Sequence, residues 1–259
     1  MTQFVRIGST PYMAFDKGGS EKSAFLRARK AEVQYGRQLR KVAQHVGDIV
    51  RGLYNPTEAT VTSAIEQALT RYSSTIEAWA QSVGNRMVTE VAARDRKAWM
   101  EVSRRMGQSL REEIDNAPTG LVLRERLADQ VTLIKSIPLD AAERVHKLAL
   151  EGITQGRRSN YIAEEIMRSG HVSRSKADLI ARTEVSRTAS LLTEARAVHI
   201  GSTGYIWRTA KDTDVRHSHA EMEGKFVPWG SPPTLDGMRG HAGQFPRCRC
   251  YPEPVIPLD

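Results

Sequence analysis

The sequence predicts a mainly α protein in which a helical N-terminal region is followed by a small α+β C-terminal module with a short antiparallel sheet. Through most of the chain before Gly204, apolar residues recur every three to four positions, the period of an amphipathic helix. After Gly204 the period falls to two, as in a strand. The part of the chain after Gly204 also holds two of the four tryptophans, three of the seven histidines and both cysteines. These changes predict an irregular N-terminal arm (1–20), a helical region (21–135) and a C-terminal domain (136–259).

Capping and turn-forming residues bound the predicted helices. Ser20 is suited to the N-cap of the first helix, and Asn55-Pro56 should end it. Helical periodicity then continues from Thr57 to about Glu113, where Gly84-Asn85 allows a break. Ile137-Pro138 should stop the next helix, because proline lacks the N–H that a helix interior requires. The later helices are predicted at 121–134, 140–152, 159–167 and 173–200.

Three strands are predicted in the C-terminal module. The first, Tyr205–Thr209, shows the alternation typical of a half-buried strand. The others are expected at 225–229 and 247–254. Prolines in the third strand predict that it lies at an edge of the sheet, where a missing N–H is tolerated.

The charge of the chain favours an anionic partner. Its net charge is +8 and its isoelectric point is about 9.6. Between Lys22 and Arg51 there are eight basic and two acidic residues. A basic helix of this kind can contact double-stranded DNA through phosphates without reading sequence, or it can bind an acidic protein surface. The candidate residues for this contact are Arg27, Arg29, Lys30, Arg37, Arg40 and Lys41.

Several classes of protein are disfavoured by what the sequence lacks. No run approaches the roughly 18 apolar residues of a membrane span, so no membrane partner is predicted. The N-terminus has no apolar segment with a cleavage site, which predicts that the protein stays in the cytoplasm where it is made. Neither a phosphate-binding glycine loop nor a G-x-S-x-G motif is present, which disfavours an ATP-driven motor and a serine hydrolase.

The two cysteines are separated by one residue, a spacing that disfavours a disulfide between them. Cys248 and Cys250 are therefore expected either as reduced thiols or as metal ligands. Together with His219, and with His241 as a further ligand, they could hold a structural zinc ion. Their C-x-C spacing differs from the C-x-x-C that zinc sites favour, so a pair of cysteines without a metal remains open.

A series of short motifs in a fixed order resembles a known family. Over about residues 137–252, the chain is similar to the phage Mu F-like minor head proteins, also called the phage head morphogenesis domain. Each motif alone would mean little, and the ordered set carries the resemblance. The motifs are ARTE (181–184), W-x-T (207–209), Asp212, V-R-x-x-H (215–219), Gly224 and P-x-C-R-C (246–250).

The resemblance implies a structural, non-enzymatic minor capsid protein of a tailed phage or prophage, found in the virion. Its expected partners are the portal protein and the major capsid or scaffold protein, and some relatives are associated with DNA delivery. On the same helix as the ARTE motif, Arg187 and Glu194 are expected at a solvated surface. The resemblance also implies a buried polar network of Arg182, Glu184, Asp212, Arg216 and His219.

Two other functions are compatible with the residues. Asp212, His217, His219 and His241 on a basic protein are residue types of a metal-dependent nuclease, in which a histidine acts as base and a divalent ion stabilises the developing charge. However, this region lacks the paired carboxylates that hold magnesium. The other function is that of a DNA-binding protein ejected with the genome.

Overall fold

The computed structural model describes residues 3–7, 10–14, 28–55, 61–106, 110–155 and 159–257. Its helices are α1 (Arg29–Leu53), α2 (Val61–Thr75), α3 (Glu77–Met106), α4 (Arg111–Asn116), α5 (Thr119–Gln155), α6 (Ser159–Met167), α7 (Ser169–His199) and α8 (His217–Ala220). Its strands are β1 (Gln3–Ile7), β2 (Thr10–Ala14), β3 (Gly204–Thr209), β4 (Phe226–Pro228), β5 (Thr234–Leu235), β6 (Met238–Arg239) and β7 (Cys250–Pro257). The predicted fold class, mainly α with a small C-terminal module and short antiparallel sheets, is confirmed. No helix among these residues is both long and apolar enough to cross a membrane.

The chain forms two compact units, and neither is continuous in sequence. The helical unit comprises Glu32–Arg86 and Leu127–Ala181. The sheet unit comprises Met1–Ala31, Met87–Arg126 and Arg182–Asp259. The boundary predicted at 135/136 therefore does not coincide with a boundary between units, and it falls inside α5.

The core of the helical unit follows the predicted helical periodicity. Helices α1, α2, α5 and α6 each place aliphatic or alanine side chains in one cluster, since residues three and four apart share a helix face. Helix α1 ends at Leu53, as the following Asn55-Pro56 predicts, whereas the predicted N-cap Ser20 lies outside the described residues. The fully enclosed members of the cluster are Val46, Val50, Ile65, Leu69 and Val145.

Ile137-Pro138 lies inside α5, so the prediction that this dipeptide stops a helix is wrong. A proline removes one backbone donor and crowds the carbonyl groups of the preceding turn. Two of those carbonyl groups have other donors, because Ser73 Oγ donates to Lys135 O at 3.1 Å and Lys176 Nζ donates to Ser136 O at 3.2 Å. These side-chain hydrogen bonds from neighbouring helices support the backbone where the proline disturbs it.

Two other predicted boundaries also shift, and a third is confirmed. The break allowed at Gly84-Asn85 does not occur, and a turn at Ile76 separates α2 from α3 instead. The last long helix begins at Ser169 rather than Ser173, so Gly170 lies within it. Helix α7 ends as predicted before Gly201, which has a φ of 86° that suits glycine at a helix C-terminus.

The sheet unit contains a five-stranded antiparallel sheet in the order β1-β2-β7-β3-β4, and a separate pair, β5-β6. The irregular arm predicted over 1–20 is wrong for residues 3–7 and 10–14, which form β1 and β2. These strands were not recognisable because β2 pairs with Val255–Pro257, at the other end of the chain. The three predicted C-terminal strands are confirmed as β3, β4 and β7.

Strand β7 lies between β2 and β3, so its predicted position at an edge of the sheet is wrong. It pairs with β3 over Cys250–Val255, but with β2 only over Val255–Pro257. Pro252 and Pro254 lie in the part that is paired on one side only. A missing N–H on the unpaired side removes no hydrogen bond of the ladder, which is why the prolines are tolerated.

Candidate functional site

A cluster of three side chains in the sheet unit has the composition of a metal site. His219 lies on α8, Cys248 two residues before the start of β7 and Cys250 at its first residue. Both sulfur atoms lie 3.5 Å from His219 Nδ1. One ligand atom from each of the three residues lies within 4.8 Å of the other two. The relative exposures are 2%, 2% and 6%, so the cluster is buried.

The backbone around Cys248 explains why the two cysteines converge. Arg247 has a φ of 52°, and the N–H of Cys248 closes a turn on Phe245 O at 3.0 Å. Beyond the turn the chain extends into β7, and residues two apart in an extended segment point to the same side. The N–H of Cys250 donates to Cys248 Sγ at 3.4 Å, which holds both thiols on the side facing His219.

The opposite edge of the His219 ring faces polar side chains. Its Nε2 lies 3.7 Å from Asp236 Oδ2 and 3.4 Å from Arg216 Nη1. Asp236 also accepts a hydrogen bond from Ser218 Oγ at 2.7 Å, and Arg216 donates to the carbonyl of Pro246. The hydrogen bond from Ser218, with the positive charges nearby, holds the pKa of Asp236 below its usual range. Asp236 is thus an ionised partner for the histidine ring.

Aromatic rings enclose the cluster. The His219 ring makes edge contacts with Phe245 and Trp207, at centroid distances of 4.8 and 5.6 Å. Trp207 Nε1 is buried without a hydrogen bond of normal geometry, and it interacts with the Cys250 sulfur. These rings exclude water from the side of the cluster that they cover and surround the sulfur atoms with apolar surface.

The two thiols perturb each other. A hydrogen bond from Cys250 holds the pKa of Cys248 well below its usual range, with smaller contributions from His219 and from backbone N–H groups, and these outweigh burial. The same hydrogen bond, together with burial, raises the pKa of Cys250. The two thiols are thus coupled, because an S–H on Cys250 stabilises negative charge on the Cys248 sulfur.

His241 does not belong to this cluster. Its Nδ1 lies 3.2 Å from Tyr205 Oη, and its Nε2 lies 3.8 Å from Glu194 Oε1. Burial lowers the pKa of His241, so the ring is neutral in its aromatic surroundings. The prediction of His241 as a further metal ligand is therefore not matched by the geometry.

The predicted polar network divides into separate contacts. Arg216 and His219 do lie together, as described above. Glu184 is buried, but it pairs with Arg187 at 2.8 Å and Arg126 at 3.8 Å rather than with Arg216. Asp212 pairs with Arg249 at 2.6 Å. Asp212 lies just after β3 and Arg249 just before β7, and the pairing of these two strands brings the residues together.

The other residues of the ARTE helix differ from their predicted surroundings. Arg182 is half-buried on α7, two residues before Glu184. Arg187 was expected in solvent, but its guanidinium donates to Gln244 O at 3.0 and 3.2 Å. Glu194 was also expected in solvent, yet it accepts from Gln244 Nε2 at 3.5 Å, and burial raises its pKa. Both side chains thus hold the loop that precedes the cysteines, a role that helical periodicity cannot reveal.

A second candidate site lies in the helical unit. A cavity of about 470 Å³ is lined by one face of α1 and the first turns of α7. Arg40 is paired with Asp178 at 2.7 Å and Arg51 with Asp48 at 2.5 Å. We call this cavity the basic groove. Its lining side chains that carry or can gain positive charge are Arg37, Arg40, Lys41, Arg51, His171 and Arg174.

The basic groove contains three of the six basic residues proposed for an anionic partner. Arg37, Arg40 and Lys41 line it, whereas Arg29 and Lys30 are exposed on α1 but are not part of its lining. Arg27 lies outside the described residues. His171 and Arg174 complete the groove and were not predicted, because their proximity to α1 depends on a contact between distant parts of the chain.

That contact depends on two glycines. A Cβ atom on Gly170 would lie only 2.8 Å from Gly47 Cα, so the backbones of α1 and α7 touch at this point. Gly47 also lines the groove. The two glycines therefore bring the basic residues of α7 next to those of α1.

Comparisons with known proteins agree with the motifs. Residues 143–252 match the family model described as phage Mu protein F like protein, which supports the resemblance to the phage Mu F-like head morphogenesis family. The chain is also 26% identical over 247 residues to an uncharacterized protein of Haemophilus influenzae strain KW20 / Rd. That alignment covers 88% of this chain and 54% of the relative, so the chain spans about half of the relative's length. No solved structure matches the chain.

In the structure, residues from different motifs of the matched region lie near one another. Residues from ARTE, W-x-T, V-R-x-x-H and P-x-C-R-C all contact one another in the sheet unit. Thr183 of ARTE accepts a hydrogen bond from the N–H of Arg247 at 3.1 Å. Thr209 of W-x-T donates to Glu223 at 2.8 Å, and Trp207 contacts His219. Asp236 and Glu223 were not predicted, because neither belongs to a motif.

Proposed function

We propose that this chain is a structural minor head protein of a tailed phage or prophage and acts in head morphogenesis. The observation that carries the proposal is the family match over 143–252, a range that includes the buried cluster of His219, Cys248 and Cys250. In this proposal the sheet unit is the docking module, and its partners in the head are the portal protein and the major capsid or scaffold protein. Its place is in the virion, and its role requires no catalytic step.

The proposal is tested in the phage or prophage that encodes the chain. An amber mutation in its gene should leave few normal, DNA-filled heads by electron microscopy, and supplying the wild-type chain in trans should restore them. Peptides of the chain should be found by mass spectrometry in purified heads. Normal infectious particles without the chain would overturn the proposal.

We also propose that the basic groove binds double-stranded DNA during packaging or ejection. Arg37, Lys41 and Arg174 have no acidic partner within ion-pair distance among the described residues, unlike Arg40 and Arg51. Guanidinium groups match phosphate oxygens in a two-point contact, and two of them, those of Arg37 and Arg174, line the groove besides the paired Arg40 and Arg51. A groove of this kind would contact the phosphate backbone and carry no sequence specificity.

The salt dependence of DNA binding tests this second proposal. Each lost phosphate contact reduces the slope of log affinity against log salt by about 0.9. The triple variant Arg37→Gln/Lys41→Gln/Arg174→Gln should therefore lose up to about 3 from that slope. The matched control Arg71→Gln/Arg86→Gln/Lys147→Gln removes the same charge from exposed positions of the helical unit outside the groove.

Equal losses in the two triple variants would refute the groove as the contact. Binding of an acidic polypeptide that competes with DNA at equal charge would favour an acidic protein partner for the same residues. A third function, that of a metal-dependent nuclease, is tested in the same preparation by the cleavage of plasmid DNA with added magnesium or manganese. Our proposal of a structural protein expects intact plasmid.

A further inference from the structure

We propose that His219, Cys248 and Cys250 bind a zinc-type divalent metal ion. A tetrahedral zinc ion with bonds of about 2.0–2.1 Å to nitrogen and about 2.3 Å to sulfur holds those atoms about 3.5 Å apart. Both sulfur-to-Nδ1 distances in this cluster are 3.5 Å. Both sulfur-to-nitrogen distances are thus already those expected around one ion, and all three ligand atoms lie within 4.8 Å of one another.

Hydrogen bonding and metal binding are alternative ways to satisfy these three atoms, since Cys250 also hydrogen-bonds to Cys248. A neutral imidazole nitrogen that accepts a hydrogen bond has a single lone pair, so only one thiol can donate to Nδ1 with good geometry. Two sulfur atoms nevertheless lie at the same short distance from that nitrogen. A cation at the centre satisfies all three atoms at once, because each contributes one lone pair to it.

The chemistry of the donors selects the class of metal. Thiolate sulfur and imidazole nitrogen bind zinc and other borderline or soft ions, whereas magnesium and calcium require oxygen ligands. Two thiolates and a neutral histidine leave no net charge on a complex with a divalent ion. The cluster therefore suits a zinc-type ion and does not suit the magnesium of a nuclease.

The atoms around the three ligands also fit a metal site. In such sites the histidine usually donates its second ring N–H to a carboxylate, which fixes its tautomer and orientation. Here Asp236 Oδ2 lies 3.7 Å from Nε2, beyond hydrogen-bond distance, and Arg216 Nη1 lies 3.4 Å from the same atom, so this edge of the ring faces both a carboxylate and a guanidinium. The Cys250 N–H at 3.4 Å from Cys248 Sγ is a donor that stabilises negative sulfur, as hydrogen bonds do in metal–thiolate sites.

The ion would join segments that the sheet itself does not hold. The connection between paired residues Thr209 and Cys250 spans 210–249 and includes α8. A bond from His219 on α8 to both cysteines would tie this connection to the start of β7. The three protein ligands leave the fourth position to water or to an added ligand. The tie between α8 and the start of β7 is what would give the ion a structural role.

Metal content measured on the purified chain tests the inference. After expression with zinc and gel filtration, native mass spectrometry and elemental analysis should find about one zinc per wild-type chain. His219→Ala, Cys248→Ser and Cys250→Ser should each lower the zinc content at least tenfold. The matched controls are His241→Ala, a buried histidine outside the cluster, and His217→Ala, a histidine in the same helix whose side chain is 90% exposed. Both controls should keep their zinc.

Cobalt provides a readout that does not depend on the variants folding. Wild-type chain stripped of zinc and titrated with Co²⁺ should develop thiolate-to-cobalt charge-transfer absorption that saturates near one ion per chain. Wild-type chain that retains no zinc and shows no such absorption would overturn the inference, as would variants that keep full zinc. A disulfide between the cysteines, found by mass spectrometry after mild oxidation of chain that binds no metal, would assign the pair to redox chemistry instead. Because these measurements use the isolated chain, their failure is distinct from a failure in head assembly.

Discussion

The helical unit and the sheet unit differ in what fills their cores. The core cluster of the helical unit consists of aliphatic and alanine side chains from four helices. The core of the sheet unit combines tryptophan, tyrosine and phenylalanine rings with both cysteines, next to buried polar groups such as His219 and Glu253. Aliphatic packing tolerates many sequences of suitable volume, whereas polar and sulfur contacts require particular partners at particular distances. The sheet unit, rather than the helical unit, therefore carries the motif residues of the family.

The largest expected difference between the units follows removal of the proposed metal. A strong chelator should lower the free energy of unfolding of the sheet unit by at least about 3 kcal/mol, because metal binding contributes directly to folding. Hydrogen exchange followed by mass spectrometry should show lost protection in β3 and β7 and unchanged protection in α2. Equal losses in both units would contradict this separation.

The aliphatic core of the helical unit should respond to a single cavity. Leu69 is fully buried on α2, so Leu69→Ala should lower the free energy of unfolding by about 2–5 kcal/mol. The matched control is Leu150→Ala, because Leu150 is 47% exposed and its loss should cost less than about 0.5 kcal/mol. Urea unfolding followed by circular dichroism measures both variants, and similar values for the two would refute the assignment of the core.

The contact between Gly47 and Gly170 allows a smaller but sharper test. Gly170→Ala places a methyl group against the Gly47 backbone and should lower the free energy of unfolding by about 1–3 kcal/mol. Gly52→Ala is the control, because a Cβ there meets no atom within 4 Å. It should be neutral or stabilise the helix by up to about 1 kcal/mol. Thermal unfolding compares the two, and Gly170→Ala should also weaken DNA binding if the groove changes shape.

The smallest predicted effect concerns one hydrogen bond of the sheet unit. Thr183→Val keeps the shape of the side chain but leaves the N–H of Arg247 without its acceptor, at a cost of about 1 kcal/mol. Thr132→Val is the control, because that exposed hydroxyl bonds only to Ala128 O of its own helix. The free energy of unfolding of Thr132→Val should stay within about 0.5 kcal/mol of the wild-type value. If both substitutions lower the free energy of unfolding by the same amount, Thr183 does not anchor the loop that precedes the cysteines.

Much of the helical unit could be predicted because its contacts follow from local periodicity. The end of α1 at Asn55-Pro56 and the strands after Gly204 were identified from turn residues and from the change of period. Pro138 shows the limit of such rules, since hydrogen bonds from Ser73 and Lys176 keep the helix intact. No property of the local sequence around the proline reports those donors.

The candidate metal ligands were predicted by residue type, but their arrangement was not. His219, Cys248 and Cys250 could be selected as metal-binding residues, and His241 seemed equally suitable from its type. Only the fold separates them, because His241 contacts Tyr205 whereas His219 faces the cysteines. Likewise, the basic residues of α1 were identified from charge, and Arg174 of α7 joined them only through the contact of two glycines.

The sequence by itself determined the fold class, the helical periodicity, the basic character of α1 and the family motifs, because these depend on neighbouring residues and on composition. The tertiary structure alone decided that β1 and β2 pair with the far end of the chain and that His219 meets two cysteines. It also decided that Arg216 orients His219 instead of binding Asp212. These features depend on distances between residues far apart in sequence, and such distances are settled only when the whole chain packs.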